Sequence, residues 1–144
     1  MDALVGHASG YKSNYTFTGS IRFGIDLYKR AKNGIQFSSF GLAPNWSGFK
    51  VDLVSGGQKS GVYRHISASL GVSLEHGVVG LLVATAGTFR DLYEHIKGNS
   101  EALAEMQGDV VGMLLTPAFN SFFHGHQQTE LLRSEIMRAL CEKL

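Results

Sequence analysis

The chain has 144 residues, of which 44% are hydrophobic and only 17% charged, and a net charge of +1. That length suits one domain with its own core, and the near-neutral balance excludes the electrostatic footprint of a nucleic-acid binder. The single cysteine, Cys141, excludes an intramolecular disulfide and a cysteine zinc cage.

Before about residue 60 the chain is rich in Gly, Ser, Asn and aromatics, and reads as irregular structure with short strands. Residues 15–18 alternate β-branched and aromatic side chains. Residues 21–30 fit a strand or a short helix. Asn33-Gly34 is a hairpin turn signal, followed by partial alternation over 35–40 and clear alternation over 49–54.

After residue 60 the pattern changes to four helices. The first spans about 61–75, with Val62, Ile66, Leu70 and Leu74 at i+4 steps. The second spans about 77–97. It is apolar on nearly all sides through Ala86, which predicts a central, buried helix, and Gly98 closes it. The third starts near Ser100 and is expected to stop at Thr116, before Pro117. The fourth spans about 129–144, with Leu132, Ile136 and Leu140 on one face, Arg133, Arg138 and Lys143 on a solvated one, and Cys141 partly buried. The expected fold class is therefore α+β in a single domain, 1–144: a Gly-rich N-terminal part with short strands, and a C-terminal four-helix part. No apolar run approaches the roughly 20 residues of a membrane span. Residues 1–6 lack the basic start and apolar run of a signal peptide. The expected location is cytoplasmic, or exported as part of a longer chain.

The short loop at 98–100 implies an antiparallel helical hairpin. Folding about Asn99 sets Asp91 level with residue 107, between Glu105 and Asp109. Asp91 and His95 share one helix face, and Glu105, Asp109 and Gly112 share another. If those faces meet, carboxylates and an imidazole converge. Carboxylates in contact need a shared proton or a cation between them, which means an acid/base pair or a divalent-cation site, with His95 favouring a transition metal. The plainer alternative is a solvated helix end, with Arg90 and Glu94 as a surface pair. Asp109, among Val110, Val111, Met113, Leu114 and Leu115, is expected to be buried with a partner. Tyr63-Arg64-His65 offers a hydroxyl, an anion-binding guanidinium and a base or ligand. His124 and His126 read more readily as a surface or capping pair than as ligands. Walker A, GxGxxG, HExxH and GxSxG patterns are absent.

The order Tyr63-Arg64-His65, then Ala86-Gly87 with Asp91 and Glu94, then Glu105, Asp109 and Gly112 resembles a plan of small helical families. These are the VanZ-like proteins, their small lipoprotein relatives, and C-terminal domains of bacterial polymorphic toxins. The resemblance covers little over a third of the chain. The absence of a span makes the soluble toxin-like version the nearer one. It implies one site of His65, Asp91 or Glu94, and Asp109, with Gly112 allowing close helix packing. The expected function is a hydrolase-type bacterial effector or toxin domain acting on a phosphate- or sugar-containing envelope substrate. Its catalytic residues would be His65, Asp91, Glu94 and Asp109, with Tyr63, Arg64 and His95 binding substrate. A divalent cation and an inhibitory immunity protein would be its companions. The alternative is a non-catalytic binding or self-assembly module, favoured by low charge and abundant Gly.

Overall fold

The computed structural model describes residues 2–33, 60–99, 102–125 and 128–143. Six helices occupy them: α1 (Asp2–Asn14), α2 (Gly19–Asn33), α3 (Ser60–His76), α4 (Val78–Ile96), α5 (Ala102–Phe123) and α6 (Thr129–Lys143). Among the described residues there is no strand, so the α+β expectation is overturned. The strands expected at 35–40 and 49–54, and the hairpin after Asn33, lie outside the described residues.

The physical reason for the correction is legible in the two N-terminal helices. Leu4, Val5, Ala8 and Tyr11 recur at helical spacing, and Leu4, Val5 and Ala8 are buried. On α2, Phe23, Leu27 and Ala31 fall at i+4 steps and are buried. Phe23 stacks on Phe119 of α5 with ring centroids 5.6 Å apart. Burying a Phe or Leu side chain contributes about 1.5–3 kcal/mol each, which outweighs the weak strand propensity of the intervening residues. Residues 16–18 form the turn between α1 and α2, and Phe17 stands 92% exposed there.

Helix α3 is the axis of the fold and packs against α2, α4 and α5. Its expected stripe of Val62, Ile66, Leu70 and Leu74 is buried throughout. Glycines let its neighbours approach backbone to backbone. A Cβ on Gly24 would lie 2.6 Å from the Gly71 carbonyl oxygen, and one on Gly71 2.8 Å from that of Gly24.

Helix α4 corrects a second expectation: it is not buried on all sides. Val78, Val79, Leu82, Val83, Phe89, Tyr93 and Ile96 are exposed, and its buried residues are Gly80, Ala84 and Asp91. Apolarity all round does not choose a face. The face is chosen by size, because Gly80 leaves room for the α3 backbone and the small Ala84 is buried on the same helix. A Cβ on Gly80 would land on the Val72 carbonyl.

Gly98 does end α4 as expected. It sits at φ +103°, donates its N–H to the His95 carbonyl at 3.0 Å, and is followed by an Asn99 N–H to Glu94 carbonyl bond of 3.1 Å. This is the Schellman arrangement, whose left-handed residue glycine adopts without strain.

Helix α5 does not stop at Thr116 but runs through Pro117 to Phe123. An interior proline costs about 3 kcal/mol. Burial of Phe119 and Phe122, both beyond it on the same helix, offsets that cost. On α6, Leu132 and Ile136 are buried, Leu140 is partly so, and Arg138 is exposed. Cys141 is exposed, against expectation. No helix among the described residues is long and apolar enough to cross a membrane.

Candidate functional site

The site forms where α3, α4 and α5 meet. Two glycines of α5 create the approach. A Cβ on Gly108 would lie 2.5 Å from the Val62 carbonyl oxygen, and one on Gly112 the same distance from that of Ile66. Helix α5 therefore lies against α3 along the turns that carry His65, and Asp109 sits between the two glycines.

His65 Nδ1–H donates to Asp109 Oδ1 at 2.9 Å. The same nitrogen lies 3.4 Å from Asp91 Oδ2, and Nε2 lies 3.7 Å from Glu105 Oε2. Asp91 and Asp109 are only 3% and 5% exposed, while His65 and Glu105 are half-buried at the rim. Three carboxylates from two helices thus surround one imidazole. Asp91 Oδ1 accepts from Arg90 Nε and Nη2 at 3.2 and 3.1 Å. Its Oδ2 is buried without a hydrogen-bond partner among the described residues. Gly87 presents no side chain here, and a Cβ built on it would meet one atom within 4 Å, Asp109 Oδ2 at 3.7 Å.

Electrostatics follow from this crowding. Burial works against the charged imidazole of His65. The hydrogen bond to Asp109 and the charges of Asp109, Asp91 and Glu105 outweigh it and raise the His65 pKa above 6.5. Burial also pushes the Asp109 carboxyl up. His65 opposes that shift and the neighbouring Asp91 adds to it. Both directions have one meaning: the cluster holds a proton more tightly than its separate members would.

The structure brings together His65, Asp91 and Asp109 of the expected residues, and Asp109 is buried with a partner. It does not bring in Glu94, His95 or Arg64. Glu94 is exposed on α4. His95 points its Nδ1 at the Asn99 carbonyl, 3.3 Å away. Arg64 is exposed and donates Nε–H to the Ala31 carbonyl at 3.2 Å, serving the last turn of α2. The Tyr63 side chain and His126 lie outside the described residues, and His124 is exposed.

Two residues join the site beyond the expected catalytic and binding set. Glu105 is legible from spacing, one turn before Asp109 on the same face. Arg90 fits Glu94 as a partner by spacing, but it turns to the buried Asp91 instead. Nothing in the local sequence separates the two partners. Comparison of the chain with protein-family models, curated proteins and solved structures finds no match.

Proposed function

We propose that the chain is a hydrolase-type domain of the bacterial effector class, which uses this cluster to activate water against a phosphate ester of the cell envelope. The observation that carries the reading is the convergence of Asp91, Glu105 and Asp109 on the one imidazole of His65, at a rim that Gly87 leaves uncovered. Asp109 accepts from Nδ1–H, which leaves Nε2, beside Glu105, as the ring edge that would take a proton from an attacking water. The exposed guanidinium of Arg90, already beside Asp91, gives an anionic substrate group a cation to approach, which favours a phosphate over an uncharged sugar. In the step proposed, water gives a proton to the cluster and its oxygen bonds to phosphorus. The ester bond then breaks, and the leaving oxygen takes a proton back from the cluster. The envelope setting comes from the resemblance to toxin and VanZ-like families.

Expression in a bacterial host, directed either to the cytoplasm or to the periplasm, tests the reading. Periplasmic wild-type protein is expected to arrest growth, and a His65→Ala variant with an unchanged circular-dichroism spectrum is expected to be harmless. Equal harmlessness of both in both compartments removes the reading.

A second reading, self-assembly, is favoured by the outward face of α4. Val78, Leu82, Phe89, Tyr93 and Ile96 form an exposed apolar surface of the kind that soluble monomers avoid. Sedimentation equilibrium is expected to show a dimer or larger species that Leu82→Lys with Phe89→Lys converts to monomer. A wild-type chain that is strictly monomeric removes this reading and leaves the hydrolase reading.

A further inference from the structure

We infer that His65, Asp91 and Glu105 form a binding site for one divalent first-row transition ion. One donor atom from each of the three lies within 4.8 Å of the others. A group of acids alone would not point to a metal. The independent observation is Asp91: the side chain is buried, Oδ1 is taken by Arg90, and Oδ2 faces the cluster with no hydrogen-bond partner among the described residues. The nearest ring atom, His65 Nδ1 at 3.4 Å, already gives its N–H to Asp109, so this buried carboxylate oxygen receives no hydrogen bond from it, which is costly unless a cation or proton meets it.

The imidazole is prepared for the same role. Asp109 accepts from Nδ1–H, which leaves the Nε2 lone pair outward. A carboxylate behind a histidine ring is the usual outer support of a metal-bound histidine, and it makes the ring a better donor. Glu105 Oε2 lies 3.7 Å from Nε2, too far for a hydrogen bond. Two bonds of about 2.1 Å to a shared ion would span that separation at an open angle. The full 4.8 Å spread is slightly wider than an ion accommodates. Asp91 Oδ2 lies nearest the ring at Nδ1, so an ion held at Nε2 also requires Asp91 and Glu105 to draw together, and Glu105, at the half-buried rim, has the room to move.

One nitrogen and two carboxylate oxygens select Zn²⁺ or Mn²⁺ ahead of Mg²⁺ and Ca²⁺, which take oxygen ligands. Three protein ligands leave a position for water, as in catalytic rather than structural sites. The catalytic use of that water rests on the hydrolase reading. The binding itself does not.

Isothermal titration calorimetry of the intact chain with ZnCl₂, MnCl₂ and MgCl₂ tests the site. One Zn²⁺ or Mn²⁺ per chain is expected, bound at least tenfold more tightly than Mg²⁺. Glu105→Gln and Asp91→Asn are each expected to weaken it at least tenfold, and His76→Ala, at an exposed histidine beside Glu75, to leave it unchanged. If Asp91→Asn fails to fold, Glu105→Gln decides alone. Failure of the wild type to bind, Mg²⁺ binding as tight as Zn²⁺, or affinity indifferent to Glu105→Gln overturns the inference. Calorimetry needs no turnover, so metal binding by a chain harmless to bacteria would sink the hydrolase reading and leave this one standing.

Discussion

Gly112→Ala is expected to destabilise the chain by about 3 kcal/mol, the upper end of what overpacking costs, and to lower the melting temperature by roughly 10 °C. The added Cβ would land on Ser69 Oγ, 2.5 Å from the Ile66 carbonyl oxygen and 2.9 Å from the Leu70 amide nitrogen. The hydroxyl can turn away, but the backbone of α3 cannot. Ser69 donates to the His65 and Ile66 carbonyls, so relief would also disturb the turn that carries His65. Gly6→Ala is the control. Gly6 lies inside α1, is exposed, and has no neighbouring atom within 4 Å of the place an added methyl would occupy. There the methyl raises helix propensity by about 0.8–1 kcal/mol. The two glycine-to-alanine changes should therefore move thermal unfolding in opposite directions. A Gly112→Ala chain that melts with the wild type would mean that α5 does not approach α3 this closely.

Asp109→Asn is expected to abolish growth arrest while the chain still folds. The amide keeps the shape of the carboxylate, and its oxygen can still accept from His65 Nδ1–H. The stability change should therefore stay within about 1–3 kcal/mol, the range for a disturbed buried hydrogen bond. What the substitution removes is charge. Asp109 is the nearest carboxylate to His65 and a leading cause of its raised pKa, so the imidazole should titrate at lower pH in the variant. Loss of one acid/base partner typically costs about 10²–10⁴ in rate. Growth assays, urea unfolding and the pH titration of the His65 ring resonance measure the three effects separately. Full growth arrest by the variant would exclude Asp109 from the chemistry. An unshifted His65 titration would mean that Asp109 does not govern the ring.

Nearest-neighbour periodicity determined a good deal of this protein. The α3 stripe of Val62, Ile66, Leu70 and Leu74, the inward Leu132 and Ile136 of α6, and the Gly98 stop of α4 all follow from spacing and from glycine's freedom at positive φ. So does the geometry of the hairpin that sets Asp91 against Glu105 and Asp109. The same periodicity exists in α2, since Phe23, Leu27 and Ala31 stand at i+4. Interspersed Ile21, Ile25 and two glycines hide it behind a pattern that also fits a strand. Pro117 is the opposite case: a correct local rule overridden by the burial of Phe119 and Phe122 beyond it.

Three things do not follow from spacing along the chain and were decided by tertiary structure, although the family resemblance implies the last of them. Tertiary structure turned the apolar α4 outward, because the close approach of α3 needs Gly80 and a small neighbour such as Ala84 rather than the larger side chains, and no periodicity in hydrophobicity records that size requirement. It assigned Arg90 to Asp91 rather than Glu94, because Asp91 is buried and its charge gains more from a partner than an exposed carboxylate does. It also brought His65 to Asp109 across 44 residues of chain while leaving His95, on the same hairpin as Asp109, outside the cluster. A helix face can be read from spacing along one segment. Which faces meet depends on how closely two backbones can approach, and here glycines on several different helices set that distance.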